Sequence, residues 1–249
     1  MIDIEKFLKD GWIILDHPIG GLKDFVPYIP IDCSDETTKK IHIEYSEKLW
    51  KSEFSLIAAR FLAPIMWNFL SLDLMVQYNP YLRIARPNKP QDNIGYHKDT
   101  QYGQTPYELA VHIPFVDLDE KSAIRVISGS HLMPESKFSL VTPEGPRIEK
   151  GSIENHMGKP YSPKCLKVPE GMETTPLAMK VGQCAIFSPA IFHGQEVNEG
   201  DATRVSCDLR FVNSRAPVQL KLGKIHAGYV AVSQSPVEMM AQKYYEAQI

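Results

Sequence analysis

The feature that most constrains the fold of this chain is a run of short β-type segments that begins near residue 74. Stretches such as "YLRIAR", "ELAVHIPFVD" and "TRVSCDLRFVN" alternate with Pro, Gly, Asn and Asp as far as residue 213. We count about eight such segments, and strands at this spacing are typical of a β-sandwich or jelly roll. The pattern therefore predicts a mainly β protein.

The strand pattern also fixes the expected organisation of the chain. Residues 134–176 interrupt it with a stretch rich in Pro, Gly and Lys, which we predict to be a structureless insert of functional importance, such as a lid. No shift in composition marks a second domain. We expect one domain over residues 1–249, with helical support in 1–73, the strand core in 74–215 and a C-terminal extension in 216–249.

The first third of the chain has helical periodicity. Residues 3–9 are predicted to form a short helix that ends near Gly11, and "WIILDHP" follows as a strand. A second helical region begins at Ser34, where apolar residues recur at three- and four-residue steps. Pro64 is expected to kink or end a helix.

The faces of the predicted strands leave two arrangements open. In "TRVSCDLRF", side chains alternate between a polar face and an apolar face; the polar members are Arg204, Ser206, Asp208 and Arg210. The polar face could lie in solvent over an apolar core. It could instead line a ligand-holding interior, with the apolar face packed on the N-terminal helices. We expect Asp208 and Arg210 to pair with each other.

Charge and hydropathy exclude several classes of partner. The chain has 27 basic and 30 acidic residues, a net charge of −3 and no basic stripe, so neither nucleic acid nor an anionic membrane is an expected partner. No apolar run is long enough to span a bilayer. The start is rich in acids, unlike a signal or transit peptide. With four scattered cysteines and no C-x-x-C, we expect a cytoplasmic protein with reduced thiols.

Three residues are candidate ligands of one metal ion. His97 and Asp99 lie two apart in "GYHKDTQYG", so on a strand they share a face while Lys98 points away. His193 follows the hydrophobic segment "CAIFSPAIF" at a predicted strand end. Two histidines and one carboxylate on one face of a metal, with three positions open, suit non-haem Fe(II) chemistry.

An anionic co-ligand would need a cation to hold it. Arg204 lies eleven residues after His193, and Ser206 follows on the same strand face. A guanidinium binds a carboxylate through two hydrogen bonds, and a neighbouring hydroxyl adds a third. The distal C5 carboxylate of 2-oxoglutarate requires such an arrangement, because its other end chelates the iron.

The ordered set H-x-D, distant His and R-x-S resembles the signature of Fe(II)/2-oxoglutarate-dependent oxygenases. The stretches "HIPFVDLDEKSAIRVISGSHL" and "GQCAIFSPAIFHGQEVNEGDATRVSCDLRF" are similar to the phytanoyl-CoA dioxygenase-like branch, especially its streptomycin-cluster type. The resemblance covers roughly residues 75–215. It implies a double-stranded β-helix, or jelly roll, with N-terminal helices packed on its outside.

Carried over by position, the resemblance implies roles for these residues and a reaction. His97, Asp99 and His193 would bind Fe(II), and Arg204 with Ser206 would hold 2-oxoglutarate. With O2 as a further cosubstrate, the protein would hydroxylate an unactivated C–H bond of a small polar metabolite and release succinate and CO2. Halogenating relatives replace the acid of the triad, so Asp99 favours hydroxylation or desaturation.

Further residues are candidate contacts around this site. His112 is predicted to contact 2-oxoglutarate or substrate, or to be a hydrogen-bonded interior histidine; relatives often carry tryptophan there. His131 is predicted to cap a turn. The candidate substrate contacts are Thr100, Gln101, Tyr102, Arg83, Arg86 and Arg125, although each arginine could equally face solvent. Since Arg83 and Arg86 are three residues apart, a regular strand cannot turn both inward.

Other functions stay open on sequence alone. A cupin-type metal-dependent sugar isomerase or epimerase would use a similar metal site without 2-oxoglutarate. A non-catalytic jelly-roll sugar-binding protein would need neither metal nor cosubstrate. A zinc hydrolase could use the same three ligands, but it would give the R-x-S pair no role.

Overall fold

The structure, a computed structural model, describes residues 2–30, 32–141, 164–216 and 228–248. Its α-helices are α1 (Ile4–Asp10), α2 (Asp35–Lys51), α3 (Phe54–Met66) and α4 (Pro236–Glu246). The predicted helix boundaries are confirmed at Gly11, which ends α1 at φ 83°, and at Ser34, whose hydroxyl accepts from Thr37 N–H. α3 ends at Met66, two residues after Pro64.

Twelve strands are present in the described part of the chain. They are β1 (Trp12–Asp16), β2 (Leu74–Gln77), β3 (Tyr81–Ala85), β4 (Glu108–Pro114), β5 (Arg125–Ile127), β6 (Ser139–Val141), β7 (Lys164–Lys167), β8 (Thr174–Pro176), β9 (Gln183–Phe187), β10 (His193–Gly194), β11 (Arg204–Asn213) and β12 (Tyr229–Ser233).

The strands form antiparallel sheets. The largest has the order β1-β9-β4-β11-β2-β12, and β3 also pairs with β11. A second sheet has the order β10-β5-β8, and β6 pairs with β7. The prediction of a mainly β, jelly-roll protein with flanking helices is confirmed.

The two faces of the large sheet settle the arrangement that the sequence left open. Apolar side chains of β4 and β11, such as Val111 and Leu209, join a core that includes Leu49 of α2 and Leu62 of α3. The opposite face turns toward a smaller apolar cluster that includes Val126 of β5. The polar side chains of β11 therefore line the interior between the sheets, because the helices cover the other face.

Several predictions about individual elements were wrong or incomplete. The insert contains β6, β7 and β8, so it is not structureless in these places; residues 142–163 lie outside the described residues. "IGYHKD" forms no named strand: His97 makes one isolated bridge, and a 3-10 turn follows. β12 and α4 were not predicted. The division into helical support, core and extension stays a prediction.

No helix among the described residues has the length and apolar character required to cross a membrane. All four cysteines are free thiols, and Cys165, Cys184 and Cys207 are buried.

Candidate active site

The two candidate histidine ligands lie side by side because their backbones pair. His97 N–H donates to His193 O at 2.9 Å, and His193 N–H donates to His97 O at 3.0 Å. A Cβ on Gly194 would lie 2.7 Å from Tyr96 N, so only glycine permits this close approach. The bridge leaves the two imidazole centroids 4.5 Å apart.

Asp99 reaches the same place from a turn and not from a strand. It begins a 3-10 turn, Asp99–Tyr102, which ends at Gly103 with φ 97°. Gln101 Oε1 accepts from Lys98 N–H at 3.2 Å, and Thr100 N–H donates to Pro189 O at 3.2 Å. The second bond ties the turn to the segment that leads into His193.

The ligand atoms converge on one point. Asp99 Oδ1 lies 3.7 Å from His97 Nε2 and 3.7 Å from His193 Nε2. His97 Nδ1 lies 2.8 Å from Gly95 O, and His193 Nδ1 lies 3.1 Å from Ile191 O. A carbonyl oxygen only accepts, so Nδ1 carries the proton on each ring and Nε2 keeps its lone pair. Both rings thus present a donor atom to a metal.

The charges of these groups also suit a metal. Burial lowers the pKa of His193 to about 4, so its ring is neutral at pH 7. Burial alone would raise the pKa of Asp99, but Arg210, His193 and His97 hold it well below its usual value. Two imidazoles and one carboxylate, with one side open, are the donor set of non-haem Fe(II) sites.

A cavity of about 380 Å³, including its mouth, opens beside the histidines. The polar side chains that line it are Arg83, His97, His112, His193, Gln195, Arg204 and Asp208. The structure therefore brings both candidate histidine ligands and the predicted carboxylate anchor, Arg204, to one cavity.

Arg204 is 1 % exposed. Its Nη1 donates to Ser122 O at 3.2 Å, and its Nη2 donates to Gln195 Oε1. Burial lowers its pKa to about 10, which still leaves the guanidinium charged at pH 7. Within the described residues, neither Arg204 Nε nor the fully buried Ser206 Oγ has a hydrogen-bond partner. Buried polar atoms are normally satisfied, so Arg204 Nε fits a ligand carboxylate; Arg204 lines the cavity, whereas Ser206 is not among its lining residues.

Asp208 does not pair with Arg210, contrary to the expectation from sequence. Its Oδ1 lies 2.7 Å from His112 Nδ1, and its Oδ2 accepts from Arg83 Nε at 2.7 Å. Burial would raise the pKa of Asp208, but Arg83 and His112 together hold it well below its usual value. In the described part of the chain His112 Nε2 has no partner, and the ring lines the cavity. Asp208 thus orients His112 toward the interior.

The structure does not bring Arg86 or Arg125 into the cavity. Arg86 is 1 % exposed, donates to both carboxylate oxygens of Asp92 and to Cys33 O, and is neither a substrate contact nor solvent-facing. Arg125 donates to Thr174 and lies 3.6 Å from Glu196 Oε1. Of the three candidate arginines, only Arg83 lines the cavity.

The remaining residues considered from the sequence are Thr100, Gln101, Tyr102, His131 and Lys98. Thr100 and Gln101 do not line the cavity, and the Gln101 side chain caps the turn. The side chain of Tyr102 lies outside the described residues. His131 lies in the turn Ser130–Leu132, as predicted, but its Nε2 lies 3.1 Å from Leu8 O of α1, so the prediction that it caps the turn is wrong. Lys98 is 4 % exposed, and its ammonium lies 4.9 Å from the centroid of the Phe192 ring.

Two residues that sequence reasoning missed bear directly on the site. Gln195 binds Arg204, and Arg210 Nη2 donates to Asp99 Oδ2 at 2.7 Å. The alternation of β11 places Arg210 on the same face as Arg204, and this was an available signal for its inward direction. Its partner, 111 residues away, was not predictable from spacing.

Antiparallel sheets that enclose two histidines, a carboxylate and a buried arginine define a class of non-haem metal enzymes. The model of one family in this class, phytanoyl-CoA dioxygenase (PhyH), matches residues 30–206. The chain belongs to this family. Fe(II), 2-oxoglutarate and O2, the cofactors expected from the sequence, fit the family and the donor set.

Solved structures with similar folds have low sequence identity to the chain. The apo form of the non-heme monooxygenase ThoJ has a TM-score of 0.60 at 13% identity, over 98% of this chain and 93% of ThoJ. EvdO2 from Micromonospora carbonacea var. aurantiaca, in complex with 2-oxoglutarate, has a TM-score of 0.56 at 16% identity, over 89% and 94%.

SnoK, a non-heme alpha ketoglutarate dependent carbocyclase from nogalamycin biosynthesis, has a TM-score of 0.54 at 14% identity, over 92% of this chain and 95% of SnoK. At these identities the likeness shows the fold. No curated protein matches the chain.

Proposed function

We propose that this protein is an Fe(II)/2-oxoglutarate-dependent dioxygenase that hydroxylates an unactivated C–H bond of a small polar metabolite and releases succinate and CO2. The observation that carries the proposal is that two histidines of the triad and a fully buried arginine line one cavity. A metal site alone fits many enzymes; a metal site with an internal carboxylate anchor fits a 2-oxo acid cosubstrate.

Each residue has a separate task in this proposal. His97, Asp99 and His193 hold the iron from one side. Arg204 and Ser206 hold the C5 carboxylate of 2-oxoglutarate, and His112, oriented by Asp208, presents Nε2 to the cavity. Iron and 2-oxoglutarate, when bound, supply the activation of O2. The protein positions the reactants and keeps bulk water out of a cavity whose walls are largely buried.

The resemblance in sequence supports hydroxylation or desaturation over halogenation, because Asp99 supplies the acid that halogenating relatives lack. For the substrate we propose a sugar, a nucleotide sugar or an amino-acid-derived natural-product intermediate, as in the streptomycin-cluster branch. SnoK and ThoJ, a carbocyclase and a monooxygenase, show that this fold supports more than one oxidative outcome. Arg83 in the cavity wall supports a polar or anionic substrate group.

Succinate release tests the proposal. The purified protein is supplied with Fe(II), 2-oxoglutarate and O2, and a panel of sugars, nucleotide sugars and amino acids is screened for stimulated succinate formation. We expect His97→Ala, Asp99→Ala and His193→Ala each to abolish this formation. His131→Ala removes a histidine outside the cavity and serves as the control, with activity retained.

Two results would contradict the proposal. One is undiminished succinate formation in any variant of the triad. The other is substrate turnover without O2 and without 2-oxoglutarate, which would favour the metal-dependent isomerase or epimerase.

A further inference from the structure

The two carboxylate oxygens of Asp99 have different neighbours. Oδ1 faces both imidazoles, at 3.7 Å from each Nε2. Oδ2 faces away from them and accepts a hydrogen bond from Arg210 Nη2 at 2.7 Å. The carboxylate is therefore divided between the metal position and a guanidinium.

Arg210 is held firmly enough to keep this division. It lies within β11, paired with Ala110 of β4, and is 6 % exposed. Its guanidinium carbon lies 5.8 Å from the centroid of the Tyr81 ring, a cation–π distance. Glu108 lies two residues from Ala110 on the same face of β4. Among the described residues its Nε and Nη1 have no hydrogen-bond partner, so burial, the Tyr81 ring and the bond to Asp99 hold the side chain in place.

We propose that Arg210 is a positioning residue that holds Asp99 as a ligand through one oxygen only. The inference rests on the proposed function, since it concerns the same metal site. Carboxylates that bind metals are commonly fixed by a hydrogen bond to their second oxygen, and loss of such a bond costs about 10–100-fold in metal affinity or activity.

The contact between Arg210 and Asp99 matters because the metal has a limited number of ligand positions. An octahedral metal offers six positions, and a facial triad leaves three of them open. A chelating 2-oxo acid fills two, which leaves one for O2. If Asp99 bound through both oxygens, it would occupy that last position. Arg210 prevents this by engaging Oδ2.

Mn(II) replaces Fe(II) in this test because it does not react with O2 as Fe(II) does. The number of water molecules bound to Mn(II) measures how many ligand positions on the metal are open. Each exchangeable water on Mn(II) raises the longitudinal relaxation rate of water protons. We expect Arg210→Met, an apolar side chain of similar length, to free Oδ2 for the metal. The contribution of bound water should fall by about a third without 2-oxoglutarate and disappear with saturating 2-oxoglutarate, where the wild type keeps one water.

Arg86→Met is the matched control. Arg86 is also a buried arginine paired with a buried aspartate, Asp92, but it lies outside the cavity. Relaxation in this variant should equal that of the wild type at temperatures where both are folded. If Arg210→Met does not fold, Arg210→Leu replaces it; leucine likewise has no hydrogen-bond donor and should lower the contribution of bound water in the same way.

The outcomes separate this inference from the proposed function. If the wild type binds neither Mn(II) nor 2-oxoglutarate, the proposed function fails. If the wild type binds both, but the folded Arg210 variant keeps the bound water of the wild type, only the role of Arg210 is overturned.

Discussion

Arg204→Met tests the internal anchor for 2-oxoglutarate most directly. Methionine fills much of the same volume but has neither charge nor donors. We expect the variant to bind Fe(II) as the wild type does and to lose affinity for 2-oxoglutarate, because Arg204 lines the cavity without belonging to the metal triad.

The size of the loss follows from the contacts of the guanidinium. Two of its nitrogens already donate to Ser122 O and Gln195 Oε1, and the remaining donors include Nε, which has no partner among the described residues. A hydrogen bond to a charged group contributes about 1.5–3 kcal/mol, and a fork makes two. A loss of about 3 kcal/mol of binding free energy raises the dissociation constant for 2-oxoglutarate by about 100-fold.

Ser206→Ala tests the same anchor with a smaller expected loss of 2-oxoglutarate binding. Its hydroxyl makes one hydrogen bond to the carboxylate where the guanidinium makes two, so its removal should weaken 2-oxoglutarate binding by about tenfold. Binding is measured under argon, from the charge-transfer absorption that 2-oxoglutarate produces on Fe(II), with Arg86→Met as the control for loss of a buried arginine. Wild-type affinity for 2-oxoglutarate in folded Arg204→Met would refute the anchor.

Two further predictions concern buried carboxyl groups. Asp208→Asn removes the negative charge that both Arg83 and His112 contact and should lower the free energy of unfolding by about 3 kcal/mol, measured by urea denaturation; an unchanged midpoint would mean that solvent screens the pair. Burial raises the pKa of Glu108 from 4.5 to about 7. The folded protein therefore holds a proton that the unfolded chain releases, and stability should fall by up to about 3 kcal/mol as pH rises from 4.5 to 7. Glu108→Gln should remove this slope; a slope that persists would assign it to another group.

The parts of the site that the sequence predicts are those governed by local periodicity. In β11 the two-residue alternation places Arg204, Ser206, Asp208 and Arg210 on one face, and the structure shows that they do share it. The alternation could not decide whether that face is inside or outside. That depends on where α2 and α3 pack, which is a tertiary property.

The parts that the sequence does not predict depend on contacts between distant segments. Asp99 was expected on a strand, but Gly103 and the Gln101 side chain close a 3-10 turn instead. Gly103, two residues after Gln101, indicated a turn. The H-x-D spacing was nevertheless interpreted as part of a strand. Arg86 was a candidate substrate contact by position alone, and only the fold reveals Asp92 and Cys33 as its partners.

β11 orders the components of the site along one strand. Arg204, the candidate anion anchor, lies at one end, and Arg210 lies six residues further on with Nη2 bonded to Asp99, the candidate metal ligand; among the described residues each guanidinium keeps at least one donor without a partner. Asp208 lies between them and holds the two groups that flank it, Arg83 and His112. Because inward side chains on a strand recur about every 7 Å, the β11 backbone sets the separation of Arg204 from Arg210, whereas Asp99, the partner of Arg210, comes from a turn. A cosubstrate that bridges an anion anchor and a metal needs a fixed span, and a strand can maintain that span better than a loop.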